Sequence, residues 1–245
     1  MKVVLADIDE LAMRAVEVEL AEGGTQVLPV VCDTSLEANV HALAQATLER
    51  FGAAHVLCNN AGVAGNADPW SGPVSSWDWV VGINLYGVVH GIRAFLPIMQ
   101  DQGEGHIVNT ASMAGLIALP SAAAYNATKS AVVAISEGLF LEMKASGSQV
   151  GVSVLCPGFV KTNLMSGQQW QERLGPQPPA TTNPVGQMIE TMITDGVENG
   201  VDPAGIAAQV LEAIQTERFW ILTHPEMRQL PVERMQRAAA QENPA

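Results

Sequence analysis

Basic side chains are scarce in this 245-residue chain. It contains 12 Lys and Arg against 25 Asp and Glu, which gives a formal net charge of −13 at pH 7. A surface with this excess of negative charge repels phosphate groups. The composition therefore argues against nucleic acid and anionic membranes as partners.

Cysteine is also rare, and its positions exclude two common uses. Cys32, Cys58 and Cys156 lie far apart in apolar runs, so we expect buried free thiols in a reducing compartment rather than disulfides. The histidines at positions 41, 55, 90, 106 and 224 do not stand at ligand spacing from a cysteine or carboxylate. We expect surface or packed histidines and predict no metal site.

Long uncharged apolar stretches are lacking too. Asp7, Asp9 and Glu10 interrupt the first apolar run, so this run does not have the pattern of a signal peptide. No later stretch is predicted to form an uncharged apolar helix of membrane-spanning length. We therefore expect a cytoplasmic protein without membrane contact.

Apolar residues are plentiful, and their order predicts the fold. Hydrophobic residues make up 48% of the chain and charged residues 15%, a composition typical of folded proteins. Short β-branched runs at 2–7, 26–32, 54–58, 106–111, 150–155 and 219–222 alternate with helical spacing at 11–20, 35–51, 84–100, 125–145 and 204–216. This alternation predicts a single α/β domain over residues 1–245, a doubly wound parallel sheet with helices on both faces.

Two segments break the alternation. Residues 159–201 are rich in Gly, Pro, Gln and Thr, and a long irregular insertion at the carboxyl end of a strand is where a substrate-covering lid is expected. Residues 238–245 are predicted to be a frayed tail.

The Tyr125–Lys129 pair stands out because tyrosine occurs only twice in the chain. Four residues on a helix make one turn plus about 40°, so both side chains share a face. A neighbouring ammonium favours the phenolate, and we expect the Tyr125 pKa to lie below its reference value of about 10. Taken alone, the pair is more typical of an ordinary packed helix surface than of a catalytic site.

Further polar residues follow the predicted strands, at the sheet edge where open α/β proteins bind ligands. A tyrosine with a lowered pKa can exchange the proton that accompanies hydride transfer at a carbonyl carbon. Ser112, after the fourth predicted strand, is placed to hold the substrate oxygen. The other residues after strands are Asn59, Asn60, Ala61, Gly62, Pro157 and Gly158, while Asn84 lies inside an apolar helix.

This set of residues resembles the short-chain dehydrogenase/reductase family, from Lys2 to about Leu222. Asn59 to Gly62 is similar to the family's Asn-Asn-Ala-Gly turn. The family's catalytic tetrad is matched by Asn84, Ser112, Tyr125 and Lys129, with 13 residues from Ser to Tyr and four from Tyr to Lys. Pro157, Gly158 and Thr162 match the segment that surrounds the nicotinamide.

The resemblance implies an oxidoreductase that interconverts a secondary alcohol and a ketone by hydride transfer with NAD(H). Tyr125 would be the general acid/base, and Ser112 would orient the reacting oxygen. Lys129 would lower the tyrosine pKa and bind the nicotinamide ribose. Asn84 would support a water that relays protons from Lys129, although a polar residue that caps or kinks its helix is the alternative for this position.

Cofactor contacts are implied as well. Asp7 resembles the acid that binds both hydroxyls of the adenosine ribose, and its charge favours NAD over NADP. Asp33 resembles the residue that contacts the adenine amino group, although either acid could instead be a helix cap. The remaining implied contacts are Asn60, Ala61, Gly62, Tyr125, Lys129, Pro157, Gly158, Val160 and Thr162, the last of which could also be a plain loop threonine.

One part of the family pattern has no counterpart upstream of Asp7. The first family strand and its Thr-Gly-x-x-x-Gly-x-Gly turn, which presents backbone N–H groups to the pyrophosphate, are not found there. We therefore expect a sheet that lacks its first strand and helix. Three explanations are open: a start further upstream, a non-catalytic binding or scaffold protein that lost cofactor binding, or a repacked chain that binds the dinucleotide weakly.

Substrate and assembly are predicted only by class. The loop Met113–Ser121 and residues 159–201 carry few charges, which favours a small apolar alcohol or ketone. An NADPH-dependent ketoreductase is the alternative within the enzymes, and Asp7 argues against it. Small residues at 127, 131 and 134 permit close helix packing, and the resemblance implies a homodimer or homotetramer.

NADH is expected to bind more tightly than NADPH, by about tenfold, because the Asp7 carboxylate repels a 2′-phosphate. The Asp7→Asn variant removes that charge and should narrow the ratio of the two dissociation constants, measured by cofactor fluorescence at constant ionic strength. Asp9→Asn, which removes a neighbouring charge, should leave the ratio unchanged. Equal ratios in the wild type and Asp7→Asn would contradict the assignment.

Overall fold

The computed structural model describes residues 1–65, 69–164 and 183–244. Strands and helices alternate along this part of the chain, as the sequence predicts. The strands are β1 (Lys2–Asp7), β2 (Gln26–Val31), β3 (Val56–Asn59), β4 (Gly105–Thr110), β5 (Val150–Cys156) and β6 (Trp220–Leu222). The helices are α1 (Glu10–Glu22), α2 (Glu37–Phe51), α3 (Val74–Val81), α4 (Gly87–Gln102), α5 (Ala123–Ser146), α6 (Pro184–Glu198), α7 (Pro203–Gln215) and α8 (Gln229–Ala239).

Local signals mark where helices begin and end. The Asp9 side chain accepts the N–H of Ala12 at 2.9 Å and caps α1. Helix α5 stops at Gly147, whose φ of 70° is readily adopted only without a Cβ atom.

Strands β3 to β6 form one parallel sheet in the order β3-β4-β5-β6. Neighbouring residues of β5 point to opposite faces, because side chains alternate along a strand. Val154 packs with Val132 of α5, whereas Leu155 packs with Ile206 of α7. Helices therefore cover both faces of this sheet, which confirms the predicted α/β architecture.

Strands β1 and β2 form a separate parallel pair, with Lys2 opposite Gln26. Among the described strands, no ladder joins β1 to β3. A groove lies between the two sheets, lined by Ala6 and Asp7 on one side and by Leu57 and Cys58 on the other. The outer edges of β1 and β3 therefore face each other across this groove without pairing.

This arrangement bears on the expected missing strand. The described chain begins with β1 at Lys2, and that start does not by itself support an absent element. The absence of the first family strand therefore stays a prediction.

The groove also explains a wrong prediction about cysteine. Cys32 and Cys156 are buried, as predicted, but Cys58 is exposed. Its side chain lines the groove at the outer edge of β3, so an apolar strand run does not ensure burial here.

The helical segment Val74–Gln102 is longer than predicted, since it joins α3 and α4 through a π-helical stretch at Gly82–Tyr86. Its length and composition would suffice to cross a membrane, contrary to the expectation that the chain has no such helix. Val80 and Met99 are fully buried, and Phe95 and Met99 pack with residues of β4 and β5. A core helix meets the same criteria of length and hydropathy.

Two C-terminal segments also differ from their predicted form. Residues 184–198, predicted as part of an irregular insertion, form α6, which begins at the Asn183 cap with Pro184 in its first turn. Residues 229–239 form α8, for which no helix was predicted. Residues 165–182 of the predicted lid lie outside the described residues.

Gly91→Ala should destabilise the protein by about 1–3 kcal/mol, because a Cβ at Gly91 of α4 would overlap the side-chain amide of Asn59 at the end of β3. Gly138→Ala in α5 is the matched control, since nothing lies within 4 Å of its added Cβ. The control should gain up to about 1 kcal/mol from helix propensity. Urea unfolding measures both, and equal effects would contradict the close approach.

Candidate active site

The carboxyl ends of β3 and β4 are joined by a chain of buried hydrogen bonds. The Asn59 amide donates to Asn109 Oδ1 at 2.8 Å, and the Asn109 amide donates to Ser136 Oγ of α5 at 3.0 Å. Asn109 and Ser136 have no exposed surface. Because buried amides are costly without partners, these bonds hold the two strand ends and α5 in one relative position.

Lys129 is anchored at the end of β4. Its side chain is only 4% exposed, and Nζ donates to the carbonyl oxygen of Thr110 at 2.8 Å. The Thr110 hydroxyl in turn donates to Asn60 Oδ1 at 3.0 Å. The structure therefore brings the predicted lysine to the predicted Asn60 turn through a threonine that the sequence analysis did not select.

Tyr125 lies one helical turn before Lys129, as the spacing predicted. The ammonium lies 5.7 Å from the centre of the Tyr125 ring, and Ser112 lies close enough to the Tyr125 hydroxyl to lower its pKa. Ser112 Oγ also accepts the N–H of Ala114 at 3.1 Å. Three of the four predicted catalytic residues are thus within reach of one small group bound at this edge.

The electrostatics differ from the sequence-based prediction for tyrosine. Burial raises the Tyr125 pKa above its ordinary value, and the hydrogen bond from Ser112 opposes this only in part. The prediction of a lowered Tyr125 pKa is therefore wrong. The reason is that desolvation disfavours the phenolate, while the ammonium faces the ring.

Burial also shifts the pKa values of Lys129 and of the nearby Cys156. It lowers the Lys129 pKa to about 8, although Cys156 acts in the opposite direction. It raises the Cys156 pKa to about 12, against the hydrogen bond from the Ser112 backbone and the charge of Lys129. Near neutral pH the site therefore holds a protonated phenol, a mainly charged ammonium and a neutral thiol.

Asn84 occupies the π-helical stretch. Its Oδ1 accepts the N–H of Val63 at 2.8 Å, and its Nδ2 donates to the Val63 carbonyl at 2.9 Å. A π-turn adds a residue to the helix and is frequent at functional sites. Asn84 thus clamps the loop after β3, and a Cβ placed on Gly62 would lie 3.5 Å from both Asn84 Oδ1 and Lys129 Nζ.

Pro157 and Gly158 follow β5 and face the end of β4. The Pro157 carbonyl accepts the N–H of Met113 at 2.9 Å and lies 3.5 Å from Ser112 Oγ. This contact brings the predicted nicotinamide segment beside the predicted catalytic serine. Val160 pairs with Val201 in an isolated parallel bridge, and the exposed Thr162 accepts the N–H of Leu164 at 3.4 Å.

The predicted adenosine contacts lie in the groove between the sheets. Asp7, Asp33, Asn60, Ala61 and Gly62 all line it. The capping alternative does not hold for Asp7, because Asp9 caps α1 while Asp7 Oδ1 accepts the N–H of Asp9 at 2.9 Å. Asp33 Oδ1 accepts the N–H and the hydroxyl of Ser35, so that carboxylate shapes the turn before α2.

Several residues with structural roles at the site were missed by the sequence analysis. Asn109 and Ser136 are polar residues within apolar segments, and that contrast was the available signal. Thr110 binds Lys129 through its backbone carbonyl, and a backbone contact leaves no signal in the sequence. Within the described residues, no group of three or more His, Cys, Asp or Glu lies together as a candidate metal site.

Comparison with known proteins agrees with this geometry. The family model for short chain dehydrogenases matches residues 1–173. The chain belongs to the short-chain dehydrogenase/reductase family. It is therefore an NAD(P)-dependent oxidoreductase by family.

Relatives of this short-chain dehydrogenase cover most of its length. A CLA biosynthesis dehydrogenase/reductase of Lactiplantibacillus plantarum is 32% identical over 97% of this chain and 84% of its own. A short-chain dehydrogenase/reductase structure from Burkholderia phymatum in complex with NAD is 40% identical, with a TM-score of 0.94, over 100% of this chain and 88% of the other. A metagenomic short-chain oxidoreductase in complex with NADP is 33% identical, with a TM-score of 0.59, over 66% and 72% of the two chains.

These matches bear on the expected absence of an N-terminal unit. The family model matches from residue 1, and the Burkholderia structure aligns over the whole chain. They give no support to the expectation that the first strand, its helix and the glycine-rich turn are lacking. Family membership is confirmed, and the missing unit stays a prediction.

Burial of Lys129 predicts a pH-dependent stability for this short-chain dehydrogenase. The pKa of about 8 lies below the unfolded value of 10.5, so between these pH values the folded state binds fewer protons and stability rises with pH. The free-energy cost of burying the charged Lys129 ammonium is fully present below pH 8. Relative to Lys129→Met, the wild type should gain roughly 3 kcal/mol in free energy of unfolding from pH 8 to 10.5.

Urea unfolding across that range measures the difference between wild type and variant. Lys144→Met, in the exposed last turn of α5, is the control and should show no such trend. A difference between wild type and Lys129→Met that does not vary with pH would contradict the pKa shift.

Proposed function

We propose that this protein interconverts a secondary alcohol and a ketone with NAD(H), with Tyr125 as the general acid/base. The observation that carries the proposal is the buried Lys129 ammonium, which is held on the Thr110 carbonyl at 2.8 Å and lies 5.7 Å from the centre of the Tyr125 ring. Ser112 lies close enough to the Tyr125 hydroxyl to lower its pKa. These groups meet at the carboxyl edge of a parallel sheet, where α/β proteins bind their ligands.

Tyr125 donates or accepts the proton of the reaction. Its raised pKa keeps the phenol protonated near neutral pH, so the hydroxyl is ready to donate to the oxygen of a bound ketone. Ser112 holds the same oxygen with a second hydrogen bond, which fixes the carbonyl carbon in position. In the reverse direction Tyr125 accepts the alcohol proton.

Lys129 stabilises the phenolate that remains after the proton has left. Its ammonium is charged below a pH of about 8, and a nearby cation favours an anion in a site with little water. Its bond to Thr110 keeps the ammonium at the base of the site. Asn84 secures the Val63 loop beside it, and we retain the proton-relay role as a proposal.

A dinucleotide fits the described residues at both of its ends. The continuous groove from Asp7 and Asp33 to Asn60, Ala61 and Gly62 suits an adenosine and its ribose. Tyr125, Lys129, Pro157, Gly158, Val160 and Thr162 would hold the nicotinamide end. When bound, the cofactor supplies or accepts the hydride, and the acid at Asp7 favours NAD over NADP.

The pyrophosphate is the exception to this fit. Among the described residues, no glycine-rich turn faces the groove, and the α1 N-terminus beside it carries Asp9 and Glu10. Acidic side chains at that helix end repel an anion. Among the strands that the structure describes, none pairs with the groove-facing edges of β1 and β3. This favours the prediction that a further strand with such a turn completes both the sheet and the cofactor site.

A non-catalytic scaffold is the competing proposal, and the separation of the two sheets is the observation in its favour. Such a protein keeps the fold but does not bind the dinucleotide. Saturable NADH binding at micromolar concentration would eliminate it. No binding, followed by recovery when a strand and glycine-rich turn are added before Met1, would instead support the incomplete cofactor site.

Tyr125→Phe should lower kcat by about 10²–10⁴-fold, because the variant keeps the ring but loses the proton donor. The measurement is NADH formation from a panel of apolar secondary alcohols. Tyr86→Phe is the matched control, since Tyr86 is 53% exposed and should keep wild-type turnover. Tyr86→Phe should keep the wild-type NADH affinity, whereas Tyr125→Phe should lose much less in NADH affinity than in kcat. Wild-type turnover in Tyr125→Phe would contradict the assignment.

A further inference from the structure

His224 is a buried histidine that the proposed mechanism does not use. It lies two residues beyond the end of β6 and is only 6% exposed. In the parallel ladder of β5 and β6, Leu222 lies opposite Cys156. Continuing that register by two residues brings His224 opposite Gly158, in the segment beside the catalytic serine.

Both ring nitrogens of His224 bind consecutive backbone groups. Nδ1 accepts the N–H of Gly158 at 3.0 Å, and Nε2 lies 3.0 Å from the carbonyl oxygen of Phe159. A carbonyl oxygen only accepts, so the proton of the neutral ring is on Nε2. Thr223 Oγ1 lies 2.8 Å from the same Nδ1 and shares this acceptor with the Gly158 N–H.

The ring is also packed tightly against the turn. A Cβ on Gly158 would lie 2.9 Å from ring atoms Cγ and Cδ2 of His224 and 2.7 Å from Met227 Sδ. Only glycine therefore lets the backbone approach the ring this closely. The side chain acts as a clamp on Pro157–Phe159.

The clamped segment has contacts on both sides of the site. On one side, the Pro157 carbonyl accepts the N–H of Met113, next to Ser112. On the other, the Phe159 carbonyl accepts the N–H of Val201 at 3.1 Å in addition to its contact with His224. His224 therefore binds a turn that contacts the residue next to Ser112 on one side and Val201 on the other.

We propose that His224 is a positioning residue that sets the place of the Pro157–Phe159 turn relative to Ser112 and Tyr125. The inference rests on the proposed function for its effect on turnover, but not for the clamp itself. Displacing a positioning group by about 1 Å costs up to about 10²-fold in rate. His224 therefore contributes to kcat without touching substrate.

The test compares three replacements of His224. Phe keeps a ring but removes both hydrogen bonds, Asn keeps an acceptor near the Nδ1 position, and Gln keeps a donor near the Nε2 position. His106→Phe is the control, because His106 is 5% exposed and bonds Ser153 from the opposite end of the same sheet. Each variant is assayed for kcat and KM with cyclohexanol and NAD, and for its NADH dissociation constant.

His224→Phe should lower kcat about 10- to 100-fold with a smaller change in KM. Asn or Gln should recover part of that loss, and His106→Phe should stay within about twofold of wild type after correction for the folded fraction. An equal loss in His106→Phe, or no recovery by either amide, would overturn the positioning role.

Hydrogen exchange of the Gly158 amide provides a readout that needs no cofactor. Loss of its bond to Nδ1 should speed exchange at least about tenfold in His224→Phe, with little change in His224→Asn. Unchanged exchange in His224→Phe would overturn the clamp. A wild type that neither binds NADH nor turns over cyclohexanol would defeat the proposed function and the role in kcat, while the exchange rate still decides whether His224 holds the turn.

Discussion

The hydrogen bond from the buried Lys129 ammonium to the Thr110 carbonyl is the interaction on which the site depends. A charge out of water is costly unless it is well partnered, and here the partner is the last residue of β4. Helix α5 must therefore dock in one position at the end of that strand. This position brings Tyr125 close to Ser112. Tyr125 lies one helical turn before Lys129, and Ser112 lies two residues after Thr110.

The parallel sheet supplies the rest of the constellation. Strands β3, β4, β5 and β6 all end at one edge, so short segments far apart in sequence meet there. Buried amide and imidazole groups then fix these segments against one another: Asn59 to Asn109, Asn84 to Val63 and His224 to Gly158. Each buried polar group is costly without its partner, which makes the edge rigid as well as crowded.

Much of this could be predicted from the sequence. Apolar alternation gave the six strands and most helices within a few residues, since a strand or helix buries one face with a fixed period. The Tyr125–Lys129 spacing and the residues after β3, β4 and β5 identified the sheet edge at which these side chains meet in the structure. Helices α6 and α8 were missed because they are only partly buried, and their apolar residues, such as Met188 and Met235, remain exposed.

The sequence by itself determined the α/β class, because the apolar periodicity of strands and helices is local. The resemblance of its motifs to a known family indicated the family and the residues that meet at the sheet edge. Only the tertiary structure decided that burial raises the Tyr125 pKa, that Asn84 clamps Val63 within a π-turn, and that β1 and β3 remain unpaired across a groove. These properties depend on desolvation and on contacts between residues distant in the chain. Neither desolvation nor such contacts can be predicted from the local sequence pattern.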